Sequence, residues 1–391
     1  MKWKTAKVSS LCDLKNGKAY NADDWATEGL PIIRIQNLNN SSKGFNYWSG
    51  TLDKQIHVRP KDLLLAWSGT PGTSFGAHIW NGPEGVLNQH IFRIDILYGN
   101  IEKRWFQFCL NQQLNSLIHQ AHGGVGLKHV TKGAVHALEI RLPPLAEQKR
   151  IAAILDAADA LRAKRREALA QLDALLQSTF LSLFGDPVSN PMRWEDSSLL
   201  GTLAEIVSGV AKGRKLGDKN VRIFPYLAVA NVQDKYLKFD VVKSIEATDE
   251  EIAKYRLIKD DLLLTEGGDP DKLGRGSLWH DGLPECIHQN HIFRVRITSA
   301  KIDPIYLNWL IGSQRGKKYF LRSAKQTTGI ASINMTQLRA FPMLIPPLPL
   351  QQKFAAIVGS IERQKTAQRG HLAELDALFA ALQHRAFGGE L

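Results

Sequence analysis

Cysteine is scarce in this chain: Cys12, Cys109 and Cys286 are odd in number and far apart among 391 residues. That argues against a disulfide framework or a zinc site and fits a reducing, cytoplasmic compartment. Long apolar runs are missing too, so no segment reaches the length of a membrane span. The opening MKWKTAKVSS lacks the apolar core of a secretion signal. Catalytic motifs are equally thin. No Ser-centred elbow or Cys–His pairing stands out. The glycines at 123, 124 and 126 do not join a strand to a helix, as a dinucleotide or phosphate loop would.

The bulk composition, 44% hydrophobic and 23% charged, is that of an ordinary globular protein, and the length suits two or three domains. The net charge of +12 makes a polyanionic partner plausible. Residues 1–146 hold 16 cationic against 10 anionic side chains and residues 186–345 hold 23 against 19. The excess sits mainly in these two regions rather than in the segments after them.

Those segments are the main feature of the chain. Residues 143–185 (PPLAEQKRIAAILDAADALRAKRREALAQLDALLQSTFLSLFG) and 346–388 (PPLPLQQKFAAIVGSIERQKTAQRGHLAELDALFAALQHRAFG) align without a gap at an offset of 203. Each reads as one long helix. In the first copy neither Gly nor Pro interrupts 147–184, and apolar residues recur at Ile151, Ile154, Ala158 and Leu161, then Leu169, Leu172, Leu176, Phe180 and Leu183. Paired prolines precede it, Gly185 suits a left-handed cap and Pro187 blocks continuation. At 1.5 Å per residue such a helix is roughly 57 Å long. Gly359 and Gly370 weaken the second copy by about 1 kcal/mol each, so it should lean on the first. Apolar ends and polar middles (Arg162, Lys164, Arg165, Arg166; Lys365, Gln368, Arg369) predict an antiparallel helical pair acting as a spacer.

The regions between the helices also repeat. β-like runs at 31–35, 62–67 and 90–96 precede a helical stretch near 101–119, which describes an α/β globule rather than a βαβ array. In the second region Met192-Arg193-Trp194 echoes Met1-Lys2-Trp3, DLLLTE echoes DLLLAW, Trp279 echoes Trp80, and His291-Ile292-Phe293-Arg294 echoes His90-Ile91-Phe92-Arg93. The order is therefore globule (1–142), helix (143–185), globule (186–345), helix (346–391). The C-terminal helix is expected to end close to Met1, in a nearly circular, pseudo-two-fold arrangement. Cys286, His288 and His291 are spaced CxHxxH, but their mates are Gly85, Leu87 and His90, which disfavours a metal. Asp260-Asp261 and Asp269-x-Asp271-Lys272 could evoke a nuclease. Asp261 pairs with Asp62 ahead of the same strand, so a turn-forming role is expected instead.

Two variable α/β globules, each followed by a long helix opened by PPLxxQ and closed by FG, resemble the specificity subunit of type I restriction–modification enzymes. The likeness spans the chain and rests on this architecture together with PPLAEQKRIAAIL. It implies an α+β fold of two pseudo-symmetric target recognition domains separated by two long antiparallel helices, a coiled-coil-like spacer. It implies that each globule reads one half of a bipartite site in double-stranded DNA, while the helices set the spacing and dock two adenine-methylating modification subunits. S-adenosylmethionine would be bound by those subunits, not by this chain, which would be non-catalytic; restriction subunits would join the full complex. No NPPF-like methyltransferase motif is present. Pro349-Leu350 in place of Ala146-Glu147 departs from the first copy at the docking signal.

Positions matched in both globules cannot by themselves distinguish two half-sites; they are scaffold or phosphate grips. Asn37 and Asn231, His90 and His291, and Arg93 and Arg294 belong there. Positions that differ within matching polar loops are the candidate base readers. In the first globule these are Asn39, Asn40, Ser42 and Lys43; Ser68, Thr70, Thr73 and Ser74; Asn88 and Gln89; Lys128 and His129. In the second they are Gln233, Asp234 and Lys235; Asp269, Asp271, Lys272 and Arg275; Gln289 and Asn290; Lys325, Gln326, Thr327 and Thr328. Two other classes compete. A pure coiled-coil adaptor would show no salt-dependent DNA binding. The recognition part of a fused enzyme is disfavoured by a start at Met1 and an end just after the second FG.

Overall fold

The computed structural model describes all residues except 1–2, 41–42, 70–74, 121–127, 217–219, 270–271, 281 and 328–329; the side chains of 69, 115–120, 128–129, 325–327 and 330 are also outside the description. The chain forms two compact units, Met1–Arg166 with Gly370–Leu391, and Glu167–Arg369. Each unit therefore takes one half of each long helix.

In the first unit the DLLLAW run becomes the strand Leu63–Ala66, central in an antiparallel sheet ordered Cys12–Asn16, Ile91–Ile96, Leu63–Ala66, Gly76–Ile79. Successive side chains of a strand point to opposite faces, and here both faces are covered. Leu63 and Leu65 pack with Trp105, Phe106, Ile151 and Leu155, whereas Leu64 packs with Ile32, Trp80 and Val86 of a second sheet. Burying each leucine contributes about 2 kcal/mol, which explains an unbroken apolar triplet. The second sheet is ordered Asn46–Trp48, Leu30–Ile33, Gly85–Leu87, His57–Val58.

The second unit repeats the plan. Leu262–Thr265 sits between Ile292–Ile297 and Gly276–Leu278, with Ala204–Ser208 at the edge. Leu262 and Leu264 face the helices while Leu263 faces Leu227 and Trp279. A second sheet joins Lys243–Ala247, Arg222–Leu227 and Ile287–His288.

The predicted long helices form over Leu145–Phe184 and Leu348–Gly388, about 60 Å each at 1.5 Å per residue. Pro349 is tolerated because it lies in the first turn, where no intrahelical donor is lost. Gly185 does adopt a left-handed cap, φ +74, but in the second copy the left-handed residue is Gly389, φ +81, one position past the FG signal. Within the first unit the N-terminal half of the central helix packs against the C-terminal half of the other, with Ile151, Leu155 and Ala158 in one core with Phe379 and Ala386. Within the second unit Leu176, Phe180 and Phe184 meet Phe354, Val358 and Ile361. Both pairings are antiparallel. They also exchange the same contact: Arg162 bonds Asp376 at 2.6 Å and Lys365 bonds Asp173 at 2.7 Å, and the 203-residue offset turns one pair into the other. Leu161, expected on the buried stripe, is instead 52% exposed, and Leu155 is buried in its place. The C-terminal helix ends beside the start of the chain. Trp3, Phe387 and Leu391 pack on one core, and Arg150 donates to the Leu391 carbonyl at 2.6 Å.

Candidate nucleic-acid interface

Several matched polar residues turn inward. Asn37 is 2% exposed; its Oδ1 accepts from the Arg34 N–H at 3.1 Å and its Nδ2 donates to the carbonyls of Lys43 and Gly44. Asn231, 4% exposed, does the same with the Ala228 N–H and the carbonyls of Lys238 and Val241. Both amides are consumed in holding their own loop, which removes Asn37 and Asn231 from the DNA-contacting set. Arg93 pairs with Asp95 and donates to the carbonyls of Lys54 and His57. Arg294 is 2% exposed, donates to the carbonyls of Lys254 and Arg256 and lies 3.3 Å from Glu205. Burial lowers its pKa, with Arg296 adding repulsion. These arginines tie corresponding loops to the central sheet and are scaffold.

The polar loops do converge. In the first globule Ser68–Gly69 pairs with Lys128–His129, the Trp67 N–H donates to the His90 carbonyl at 3.3 Å, and the Val130 N–H donates to the Trp67 carbonyl at 3.0 Å. The loops carrying Ser68, Asn88 to His90, and Lys128–His129 thus meet at one edge of the fold. In the second globule Gly267–Gly268 pairs with Ile330–Ser332, which pairs with Lys325–Thr327; the Glu266 N–H donates to the His291 carbonyl and the Ile333 N–H to the Glu266 carbonyl. The same three segments meet through the same backbone bonds. The residue at the junction differs: Trp67 meets the His90 ring edge-on at 5.5 Å, whereas Glu266 holds the His291 Nδ1 at 2.6 Å.

Of the side chains on these faces, Gln89 and His291 are exposed, Asn88, His90, Gln289 and Asn290 are half-buried, and Ser68 is buried at 7% exposure. Ser68 therefore shapes the loop and does not offer its side chain outward. Thr70, Thr73, Ser42, Ser74, Asp271 and Thr328 lie outside the described residues, as do the side chains of Lys128, His129, Lys325, Gln326 and Thr327. Asn39, Asn40 and Lys43 are exposed on a separate loop tip.

In the second globule Gln233, Asp234, Lys272 and Arg275 share one cleft. Lys235 departs from expectation. It retains a quarter of its side-chain surface, yet its Nζ donates to the Asn308 carbonyl at 3.1 Å, pairs with Asp234 and lies 5.6 Å from the Trp309 ring centre. Burial lowers its pKa despite attraction from Asp234. A cation on a last-turn carbonyl caps the helix Pro304–Ile311, which gives Lys235 a structural role.

Two pairs of residues with positional roles were not singled out from sequence. A Cβ on Gly17 would lie 2.0 Å from the Asn88 carbonyl oxygen, and one on Gly209 would lie 1.9 Å from that of His288. Only glycine admits this approach of a sheet strand to the converging loop. Gln148 and Gln351, the Gln of each PPLxxQ signal, are fully enclosed. Each accepts from one N–H (Glu102, Asp303) and donates to two carbonyls (Asn100 and Pro143; Lys301 and Pro346), fastening the start of the long helix to the segment that opens the helix Lys103–Gln120 or Pro304–Ile311. Their signal was identity at the offset of 203.

The CxHxxH residues do not converge on one point: the His288 Nδ1–H donates to the Ile292 carbonyl while His291 turns to Glu266. Among the described residues no group of three or more His, Cys, Asp and Glu could hold a metal ion, and no helix is long and apolar enough to cross a membrane. Burial pushes the thiols of Cys12, Cys109 and Cys286 up to about 12, so none is poised as a nucleophile.

The chain thus holds two copies of one fold, each completed by halves of two long helices and each bringing the same three segments together at one edge. The chain belongs to the family of the type I restriction modification DNA specificity domain, whose model matches it twice, over residues 1–171 and 191–377. It is 23% identical to the type I restriction enzyme EcoBI specificity subunit of Escherichia coli, covering all of this chain and 86% of that one. It is 24% identical to the StySPI specificity subunit of Salmonella potsdam, covering all of this chain and 89% of the relative. The fold is shared with the S subunit of the type I system from M. genitalium, at TM-score 0.52, 15% identity and coverage of 98% and 96%. It is also shared with a chain solved in work on complex assembly and conformational transition of the type I R-M system, at TM-score 0.55, 16% identity and coverage of 100% and 98%.

Proposed function

We propose that this chain is the sequence-reading, non-catalytic subunit of a cytoplasmic type I restriction–modification enzyme, with each globule reading one half of a bipartite site in double-stranded DNA. One observation carries the reading. The same three loops meet in both globules, the shared asparagines and arginines are used inside, and the side chains facing outward differ. A duplicated scaffold with unequal faces suits two unequal half-sites, and base-edge recognition needs the Asn, Gln and His groups those faces carry.

The long helices set the distance between half-sites and dock two modification subunits, which bind S-adenosylmethionine and methylate adenine; restriction subunits complete the assembly. What supports docking is the apolar surface left on the helices: Leu175 and its mate Leu378 are each 49% exposed, and Leu161 and Leu378 line a cleft with Lys164, Arg165 and His371. The same position exposed in both copies suits two equivalent partners.

The test is the genomic methylation pattern of the source cell with and without the gene, read base by base. One split motif with methylated adenine in each half is expected to vanish on deletion. An unchanged pattern in a cell whose modification subunit is shown to be active would sink the reading. Mass measurement of a mixture with that subunit is expected to give two copies per chain.

A further inference from the structure

The cleft in the second globule has no use in the three-loop face, and its charges are unequal. It encloses about 310 Å³ and is walled by Gln233, Tyr236, Lys272, Arg275, Gly312 and Lys317. Arg275 donates to the Gln233 Oε1 at 3.4 Å, while its Nε is buried without a partner. A buried cationic donor left unmatched is destabilising, and an incoming anion would relieve this. Two carboxylates lie nearby. Asp234 is taken by Lys235 and Asp269 by Lys272; Asp271 lies outside the described residues. Lys317, in the first turn of the helix Gln314–Ser323, has no carboxylate partner among the described residues. Arg275, which lies within reach of the Asp269 charge but does not bond it, and Lys317 are thus the cleft cations without a direct carboxylate contact among the described residues.

We propose that this cleft grips a backbone phosphate of bound DNA through Arg275 and Lys317. The proposal rests on the DNA-reading role given above. A guanidinium fork beside an ammonium is a good match for a phosphodiester, and such a contact positions the duplex without reading its sequence. The volume equals roughly ten waters at about 30 Å³ each, room for a phosphate with its hydration.

The first globule is built otherwise at the equivalent place. The ladder partner of Ala66 is Gly76, whereas that of Thr265 is Arg275. Gly76 has φ +147, and a Cβ there would sit 3.3 Å from the Asn111 Oδ1. Asn111 fills the space: it accepts from the Ala77 N–H at 2.6 Å and donates to the Ala77 carbonyl at 3.1 Å. A side chain at position 76 would be strained by that φ and crowded by Asn111, so the first globule has glycine where the second has Arg275.

The experiment is the salt dependence of binding of the full chain to a short duplex of mixed sequence. Each of Arg275→Ala and Lys317→Ala is expected to lower the slope of log K against log salt by about 1, and the pair by about 2, with affinity falling alike for all sequences. Arg275→Lys is expected to retain the slope. Melting curves identify a variant that has lost its fold, and Lys317, on a helix surface, then carries the test. A steep wild-type slope that both alanine variants keep would overturn the cleft assignment and leave DNA reading intact. A flat wild-type slope would overturn the DNA reading itself. Inorganic phosphate that raises the melting temperature of the wild type and not of the double variant, with unchanged DNA slopes, would make this a free-anion site and overturn the DNA assignment.

Discussion

Replacing Gln351 with leucine tests whether the PPLxxQ signal works as a fastener. The side chain is fully buried and makes three hydrogen bonds, accepting from the Asp303 N–H at 2.9 Å and donating to the carbonyls of Lys301 at 3.0 Å and Pro346 at 2.7 Å. Leucine fills a similar volume and offers no polar atom. The Pro346 carbonyl is enclosed and the Asp303 N–H half-enclosed, so losing their partners costs about 1–3 kcal/mol each; Lys301 is exposed and can turn to water. A loss near 3 kcal/mol is expected, lowering the melting temperature of the second unit by roughly 6–12 °C. Because the chain has two units, the assay is calorimetry with limited proteolysis, which assigns each transition to its segment. Gln148→Leu should lower the other transition in the same way. A change below about 1 kcal/mol in both variants would refute the reasoning, because the unpaired groups would then have found other partners.

Gly370→Ala is expected to stabilise the chain by about 1 kcal/mol, since no atom lies within 4 Å of the added Cβ and the helix loses its most flexible residue; a raised melting temperature checks it. His288 is held at about 4, chiefly because burial penalises its charge. An unfolded histidine takes up its proton near 6.5, so stability present above that pH is lost as the pH falls towards 4, by about 3 kcal/mol in all. His288→Leu, the residue type at the matching position 87, should flatten this dependence in pH-dependent melts. Asp376→Asn weakens the contacts of Arg162 and Arg166, which are partly solvated, so a loss of no more than about 1 kcal/mol is expected, and less in high salt.

The helices were legible because a 3.6-residue pattern, paired prolines and a glycine stop all act locally, and the repeat doubled every signal. The loop sets were legible as sets, since DLLLAW and HIFR mark the strands they leave. What each polar side chain does was not. Asn37 read as scaffold or phosphate grip and Lys43 as a candidate base reader, yet only the structure shows the Asn37 amide closing on the Lys43 carbonyl. Lys235 read as a candidate base reader; its capping of Pro304–Ile311 depends on Asn308, distant in sequence. Leu161 fits the apolar spacing as well as Leu155 does, and which one is covered depends on the partner helix. The division into units crosses the helices because burial follows contacts, not sequence periods.

That division gives the two units different histories on the ribosome. Glu167–Arg369 is one uninterrupted stretch, so everything its core needs has been translated before Gly370 is added. The other unit starts first but requires Gly370–Leu391, which supplies Phe379 and Ala386 to its core and is translated last. The earlier-made globule must wait, with the helix face that Phe379 and Ala386 later cover still open, while its younger twin can already fold. The N-terminal globule is therefore the segment left open longest during synthesis, because its core is complete only once Gly370–Leu391 has been added.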